Sequence, residues 1–273
     1  MGTRIISGVI GIALAAVVIQ LGGVVFNVCA LILAIIGWRE YVSAFSNIYI
    51  DIEREIGAAV IFLLWLVATP EKTSLYLPVV LTGVLAVLCK TVFCHKSFTV
   101  QQAAYTITGM CYVGLTFMHL KLLRCMNDGV VVNSPAGVMD YGCALIWIAL
   151  IGTWSSDTFA YFSGYFLGKH KLCPEVSPKK TVEGFIGGVL GTMVMVTLVG
   201  TSFTFSVGKM ALLGLLIALA ATVGDLVESA IKRYTGIKDS GNLIPGHGGV
   251  LDRFDSVMFT VPFVYYFTQF FLR

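Results

Sequence analysis

The first 38 residues, Met1–Trp38, read MGTRIISGVIGIALAAVVIQLGGVVFNVCALILAIIGW. After Arg4, no charged residue interrupts the run from Ile5 to Trp38. A single helix of that length would measure roughly 50 Å, against a hydrocarbon core of about 30 Å. Gly22-Gly23 divides the run, so two membrane helices are expected rather than a cleaved leader. The rest of the chain continues the pattern. Of its 273 residues, 57% are hydrophobic and only 12% charged, whereas a soluble domain carries about 25% charged residues. Packing alone cannot hide that much apolar surface. The expectation is an all-α, polytopic integral membrane protein.

Apolar runs predict about nine transmembrane helices, near 4–20, 23–46, 55–69, 73–90, 99–124, 139–168, 183–202, 208–234 and 255–272. They divide linearly into N-terminal membrane helices (1–70), middle membrane helices (71–137) and a C-terminal catalytic membrane domain (138–273). Asn127, Asp128 and Asn133-Ser134-Pro135 mark a polar loop before the sixth segment. With nine crossings, thirteen of the 18 Lys and Arg fall on one side. That side is expected to be cytoplasmic, with the N-terminus inside. The net charge of +3 argues against a nucleic-acid partner. The seven cysteines include no C-x-x-C pair and read as small buried hydrophobes.

Against this background the acids are conspicuous. Asp157 interrupts an apolar helix, and a carboxylate there must face protein, water or a metal. Ser177-Pro-Lys-Lys-Thr-Val-Glu183 reads as a helix start, setting Lys179 and Lys180 beside free backbone N–H groups, an arrangement suited to phosphate. Asp225, Glu228, Ser229 and Lys232 fall at i, i+3, i+4 and i+7 on one helix face. Either Lys232 or a bound divalent ion would neutralise the two carboxylates. Next comes Ile244–Ser256, IPGHGGVLDRFDS. Gly246, Gly248 and Gly249 permit a turn whose N–H groups form an anion nest. Asp252 and Asp255 share a face at the entry of the last helix, and Arg253 is placed to grip a phosphate. Asp-x-x-Asp beside such a turn suits Mg²⁺ held partly by substrate oxygens. His247 reads equally as metal ligand, phosphate donor or backbone brace.

These elements describe a membrane-embedded site for a metal-bound polyphosphate meeting a lipid. The segment 229–255, SAIKRYTGIKDSGNLIPGHGGVLDRFD, resembles the signature of the CDP-diacylglycerol synthases, or phosphatidate cytidylyltransferases. WSSDTFAYFSGYFLGKHKL and SPKKTVEGFIGG are similar to the same family, extending the likeness over roughly 147–260. The resemblance implies CTP and phosphatidate as substrates, CDP-diacylglycerol and pyrophosphate as products, and a homodimer among the lipids of the bacterial cytoplasmic membrane. It also implies a divalent cation such as Mg²⁺, with K⁺ as a candidate second ion.

On this reading the catalytic candidates are Asp225, Lys232, Asp252, Arg253 and Asp255. The substrate-binding candidates are Ser177, Lys179, Lys180, Thr181, Ser229, Arg233, Lys238, Asp239, His247, Gly248 and Gly249. Asp225, Asp252 and Asp255 lead as metal ligands, followed by Asp157, Glu183 and Glu228. Two other activities fit part of the pattern. A CTP-dependent lipid kinase would release CDP instead of pyrophosphate. An ion-coupled transporter would explain intramembrane acids, but the chain has no inverted repeat and its charges gather at one membrane face.

Overall fold

Gly22 ends the first apolar helix as the hydrophobic length requires. Its φ of 58° and that of Gly23, 49°, lie in the left-handed region that side chains disfavour. Helix α1 spans Gly2–Leu21 and α2 spans Gly23–Ser46. The computed structural model describes residues 2–127, 129–134, 137–243 and 248–272.

Helix α3 (Arg54–Val67) is followed by a 3₁₀ turn at Pro70–Leu75 that leads directly into α4 (Tyr76–Phe93). A capping box at Thr99 and Gln102 starts α5 (Val100–Gly109). A π-helical turn at Met110–Leu115 then carries the chain into α6 (Thr116–Arg124). Strands β1 (Val131–Ser134) and β2 (Gly137–Asp140) form an antiparallel hairpin before α7 (Tyr141–Leu167). A second hairpin, β3 (Lys171–Cys173) and β4 (Ser177–Thr181), precedes α8 (Val182–Ser202). Helices α9 (Val207–Thr235) and α10 (Leu251–Phe267) complete the chain, α10 running into a π-helical turn at Thr268–Leu272.

The structure is predominantly helical, as expected. Among the described residues, six helical stretches are long and apolar enough to cross a membrane: Gly23–Ser46, Pro70–Phe93, Val100–Arg124, Tyr141–Leu167, Val182–Ser202 and Val207–Thr235. The nine apolar segments all correspond to helices. However, the 14 residues of α3 would cover only about 21 Å, so apolarity does not by itself make each segment a full crossing.

The chain divides into two compact units, neither of them continuous in sequence. The first comprises Met1–Leu122 and Lys232–Arg253, and the second Leu123–Ile231 and Phe254–Arg273. This cuts across the linear division at 70 and 137, because chain segments distant in sequence pack together. In the first unit Trp38, Tyr41, Ile61, Leu64 and Phe117 form the buried core. Two polar links tie it: Trp38 Nε1 donates to the Arg54 carbonyl at 2.9 Å, and the Tyr41 hydroxyl to the Tyr105 carbonyl at 3.1 Å. In the second unit α8 turns Gly184, Gly187, Gly188 and Gly191 toward α7, allowing the close backbone approach typical of membrane helix pairs. The Thr153 and Thr260 hydroxyls meet at 2.9 Å between α7 and α10.

Outward faces are apolar. Leu77 on α4 is 74% exposed and Phe93 83%, which water would not tolerate along a whole helix but lipid does. The same lipid-facing geometry affects the cysteines. All seven are free, yet only Cys143 is buried and Cys89 is exposed, so most are not the core residues expected from their apolar surroundings.

Candidate active site

The second unit holds the hairpin lysines. Ser177–Thr181 forms strand β4 rather than a helix start, pairing Lys171 with Thr181 and Cys173 with Ser177. The helix begins four residues later than its Ser177 signal suggested. Thr181 is its N-cap, accepting the Gly184 N–H on Oγ1 at 3.1 Å. Lys179 and Lys180 therefore precede the cap instead of lying in the first turn. Lys179 is exposed. Lys180 turns inward, its ammonium 2.7 Å from Asp225 Oδ2 on α9. The Ser229 hydroxyl donates to the other Asp225 oxygen at 3.2 Å. Both Lys180 and Asp225 keep partial access to solvent, with side chains 24% and 31% exposed.

Glu183, a second-choice metal ligand by sequence, fastens the hairpin base. It accepts the backbone N–H of Lys169 at 3.0 Å and of His170 at 3.2 Å, and meets His170 Nδ1 at 2.6 Å. Gly224 brings the start of α10 close to Asp225. A Cβ there would stand 2.6 Å from the Asp255 carbonyl oxygen. Asp255 itself is partly exposed, and its Oδ1 accepts the Ser256 N–H at 2.6 Å. Glu228 is buried, and Asp157 is exposed on α7.

The first unit holds the other half of the candidate set. Lys232 Nζ lies 2.9 Å from Asp252 Oδ1. Asp252 Oδ2 accepts three donors: the Ser240 N–H at 2.7 Å, the Ser240 hydroxyl at 2.8 Å and the Gly249 N–H at 2.8 Å. Its side chain is only 5% exposed. Gly248 adopts the positive φ expected of the turn, 84°. Of the N–H groups at this turn, that of Gly249 is engaged within the protein, and so are the two that follow it. Gly249 donates to Asp252, while Val250 and Leu251 donate to Glu40 Oε1 and Oε2 at 2.8 and 2.9 Å. Arg233, Lys238, Asp239 and Arg253 are exposed. Ile244, Pro245, Gly246 and His247 lie outside the described residues.

Sequence reasoning missed Glu40 and Ser240. Glu40 follows Arg39 at the end of a long apolar run and reads as part of a charged helix terminus. An acid abutting an apolar helix was the available signal, but nothing local names a partner 210 residues away.

Among the described residues no three His, Cys, Asp or Glu side chains assemble as an ion cage. That is no obstacle to Mg²⁺, which is usually held by one or two carboxylates together with substrate phosphates. Asp225, partly exposed and next to the residue on which α10 crosses, fits such a role, as does Asp255. Asp252 fits less well: Asp225 also holds a lysine and a hydroxyl but its side chain is 31% exposed, whereas that of Asp252 is 5% exposed and accepts three donors besides its lysine.

Comparison with known proteins identifies the family. The chain matches the Cytidylyltransferase family over residues 2–271. It is 32% identical over 275 residues to the phosphatidate cytidylyltransferase of Bacillus subtilis strain 168, covering 97% of each chain. It is 33% identical over 270 residues to that of Staphylococcus epidermidis strain ATCC 35984, and 34% identical over 266 residues to that of Staphylococcus aureus strain COL, covering 96% of each chain in both cases. The matches run through both signature regions and both helical halves, so the chain belongs to the cytidylyltransferase family.

Proposed function

We propose that the chain is a phosphatidate cytidylyltransferase, converting CTP and phosphatidate to CDP-diacylglycerol and pyrophosphate. A phosphate oxygen of phosphatidate attacks the α-phosphorus of CTP. A new P–O–P linkage forms, the α–β P–O bond breaks, and pyrophosphate leaves with the electron pair. The nucleophile is already ionised at neutral pH, so no side chain has to remove a proton. The obstacle is repulsion between two polyanions, and the chemistry is positioning plus charge neutralisation.

What carries the reading is that the segments of family likeness also hold the Lys180–Asp225 and Lys232–Asp252 pairs. Each lysine is aimed by its aspartate. Lys180 and Lys232 offer ammonium groups to phosphate oxygens, and exposed Lys179, Arg233 and Arg253 add positive potential for the anionic substrates. Asp225 and Asp255 are the ligands proposed for Mg²⁺, together with substrate oxygens. Bound there, the ion would neutralise phosphate charge and stabilise the leaving pyrophosphate. Asp252 supports Lys232 instead. The protein works as a homodimer in the bacterial cytoplasmic membrane, with these groups on the cytoplasmic side, where CTP is.

The test uses purified protein in detergent with phosphatidate, Mg²⁺ and each nucleoside triphosphate in turn. Pyrophosphate release with CTP alone is the expected result. Release of CDP would mark a lipid kinase, and folded protein with no nucleotide turnover would sink the proposal.

A further inference from the structure

Glu40 lies near the end of α2, where its side chain is buried. A carboxylate withdrawn from water is costly unless it is hydrogen-bonded, and Glu40 is bonded entirely to one distant segment. Oε1 accepts the Val250 N–H at 2.8 Å and Oε2 the Leu251 N–H at 2.9 Å, while Ser240 Oγ stands 3.3 Å from Oε2 and shares its one proton with the nearer Asp252 Oδ2 at 2.8 Å.

Val250 and Leu251 stand at the start of α10, where helix geometry leaves N–H groups without intrahelical acceptors. The next two N–H groups are also satisfied: Asp252 donates to Ser240 Oγ at 3.2 Å and Arg253 to the Val250 carbonyl at 3.0 Å. The helix start is thus closed by Glu40 from one side and Ser240 from the other.

Two glycines make room for the carboxylate. A Cβ at Gly241 or at Gly249 would stand 2.5 Å from Glu40 Oε1. The contacts continue to the Lys232 ammonium, proposed above to meet substrate phosphate. Ser240 bridges Glu40 to Asp252, and Asp252 holds the Lys232 ammonium. Glu40 therefore accepts the two N–H groups at the start of α10 that a bound anion could otherwise take.

We propose that Glu40 is a positioning residue for cytidylyl transfer, clamping the start of α10 and, through Ser240, aligning the Asp252–Lys232 pair. The inference rests on the reading that this pair serves the reaction.

The test measures initial rates against CTP and against phosphatidate on full-length protein, below the unfolding temperature of each variant. Glu40→Gln keeps the size but turns an amide N–H₂ toward one of the two N–H donors. Its kcat is expected to fall about tenfold to a hundredfold in folded enzyme, the scale of a small misplacement at a reacting group. Glu40→Asp, which keeps the charge, recovers part of kcat. Ser240→Ala lowers kcat by less, and the double variant is no slower than Glu40→Gln alone because both act through one chain of contacts.

Wild-type kcat and KM in Glu40→Gln, with only thermal stability reduced, would overturn the inference in favour of a purely structural anchor. Should Glu40→Gln not fold, wild-type kcat in both Glu40→Asp and Ser240→Ala overturns it equally, and reduced kcat in both supports it. Lys232→Ala and Asp252→Asn separate the two claims. Full rates in both remove the underlying reading and the inference with it, whereas their inactivity beside an active Glu40→Gln removes only the inference.

Discussion

A lysine held 2.7 Å from an aspartate has its charge balanced by that partner, yet it remains a donor for a phosphate that displaces it. Lys180 and Asp225 are partly exposed, which leaves that exchange open to a phosphate. Lys180→Met is therefore expected to lower kcat/KM by about 10²–10³-fold, as loss of one charge-stabilising donor does. Lys180→Arg restores little, since a planar guanidinium does not replace a compact ammonium in a fitted site. The aspartates should separate. Asp255→Asn preserves expression and thermal stability while Mg²⁺-supported turnover collapses, and near-normal activity would remove Asp255 from the ligand set. Asp252→Asn should also cost about 1–3 kcal/mol of stability, because buried donors lose a charged acceptor. Denaturation of the two variants side by side reads this difference. The residue types at these positions were legible in the sequence, but their partners were not. The shared helix face offered Lys232 as the cation for Asp225 and Glu228, whereas the structure pairs Asp225 with Lys180 and Lys232 with Asp252.

Among the elements, the β3–β4 hairpin is where local reading failed. Ser177 and Thr181 both carry a helix-capping side chain, and Ser-Pro-Lys-Lys resembles the first turn of a helix. Pairing with Lys171–Cys173 takes Ser177–Thr181 into a strand and leaves the cap to Thr181. Thr181→Ala is expected to cost about 1 kcal/mol, measured by unfolding, as loss of an N-cap usually does. Glu183→Gln should loosen the hairpin base without touching Lys180 directly. The expected signature is a raised KM for CTP with kcat nearly unchanged, and an unchanged KM would show that Glu183 does not govern the placement of the lysines.

At the scale of the whole molecule, the prediction concerns sidedness. The orientation proposed from the positive charge bias has the Lys90–Lys96 end of α4 in the cytoplasm and the Lys72 end outside. In a cysteine-free background on intact cells, an impermeant maleimide should label Thr73→Cys directly and restored Cys94 only after permeabilisation. The reverse pattern would invert the proposed orientation. Predominantly helical architecture, membrane residence and family were legible because they depend on composition, hydrophobic run length and a dense local signature. Those properties accumulate along the chain and need no knowledge of contacts. The division into two discontinuous units, the lysine–aspartate pairings and the contacts of Glu40 were decided only by tertiary structure. Glu40 shows the physical reason. Its carboxylate acquires meaning from two N–H groups more than 200 residues away, and a backbone N–H carries no sequence signal at all.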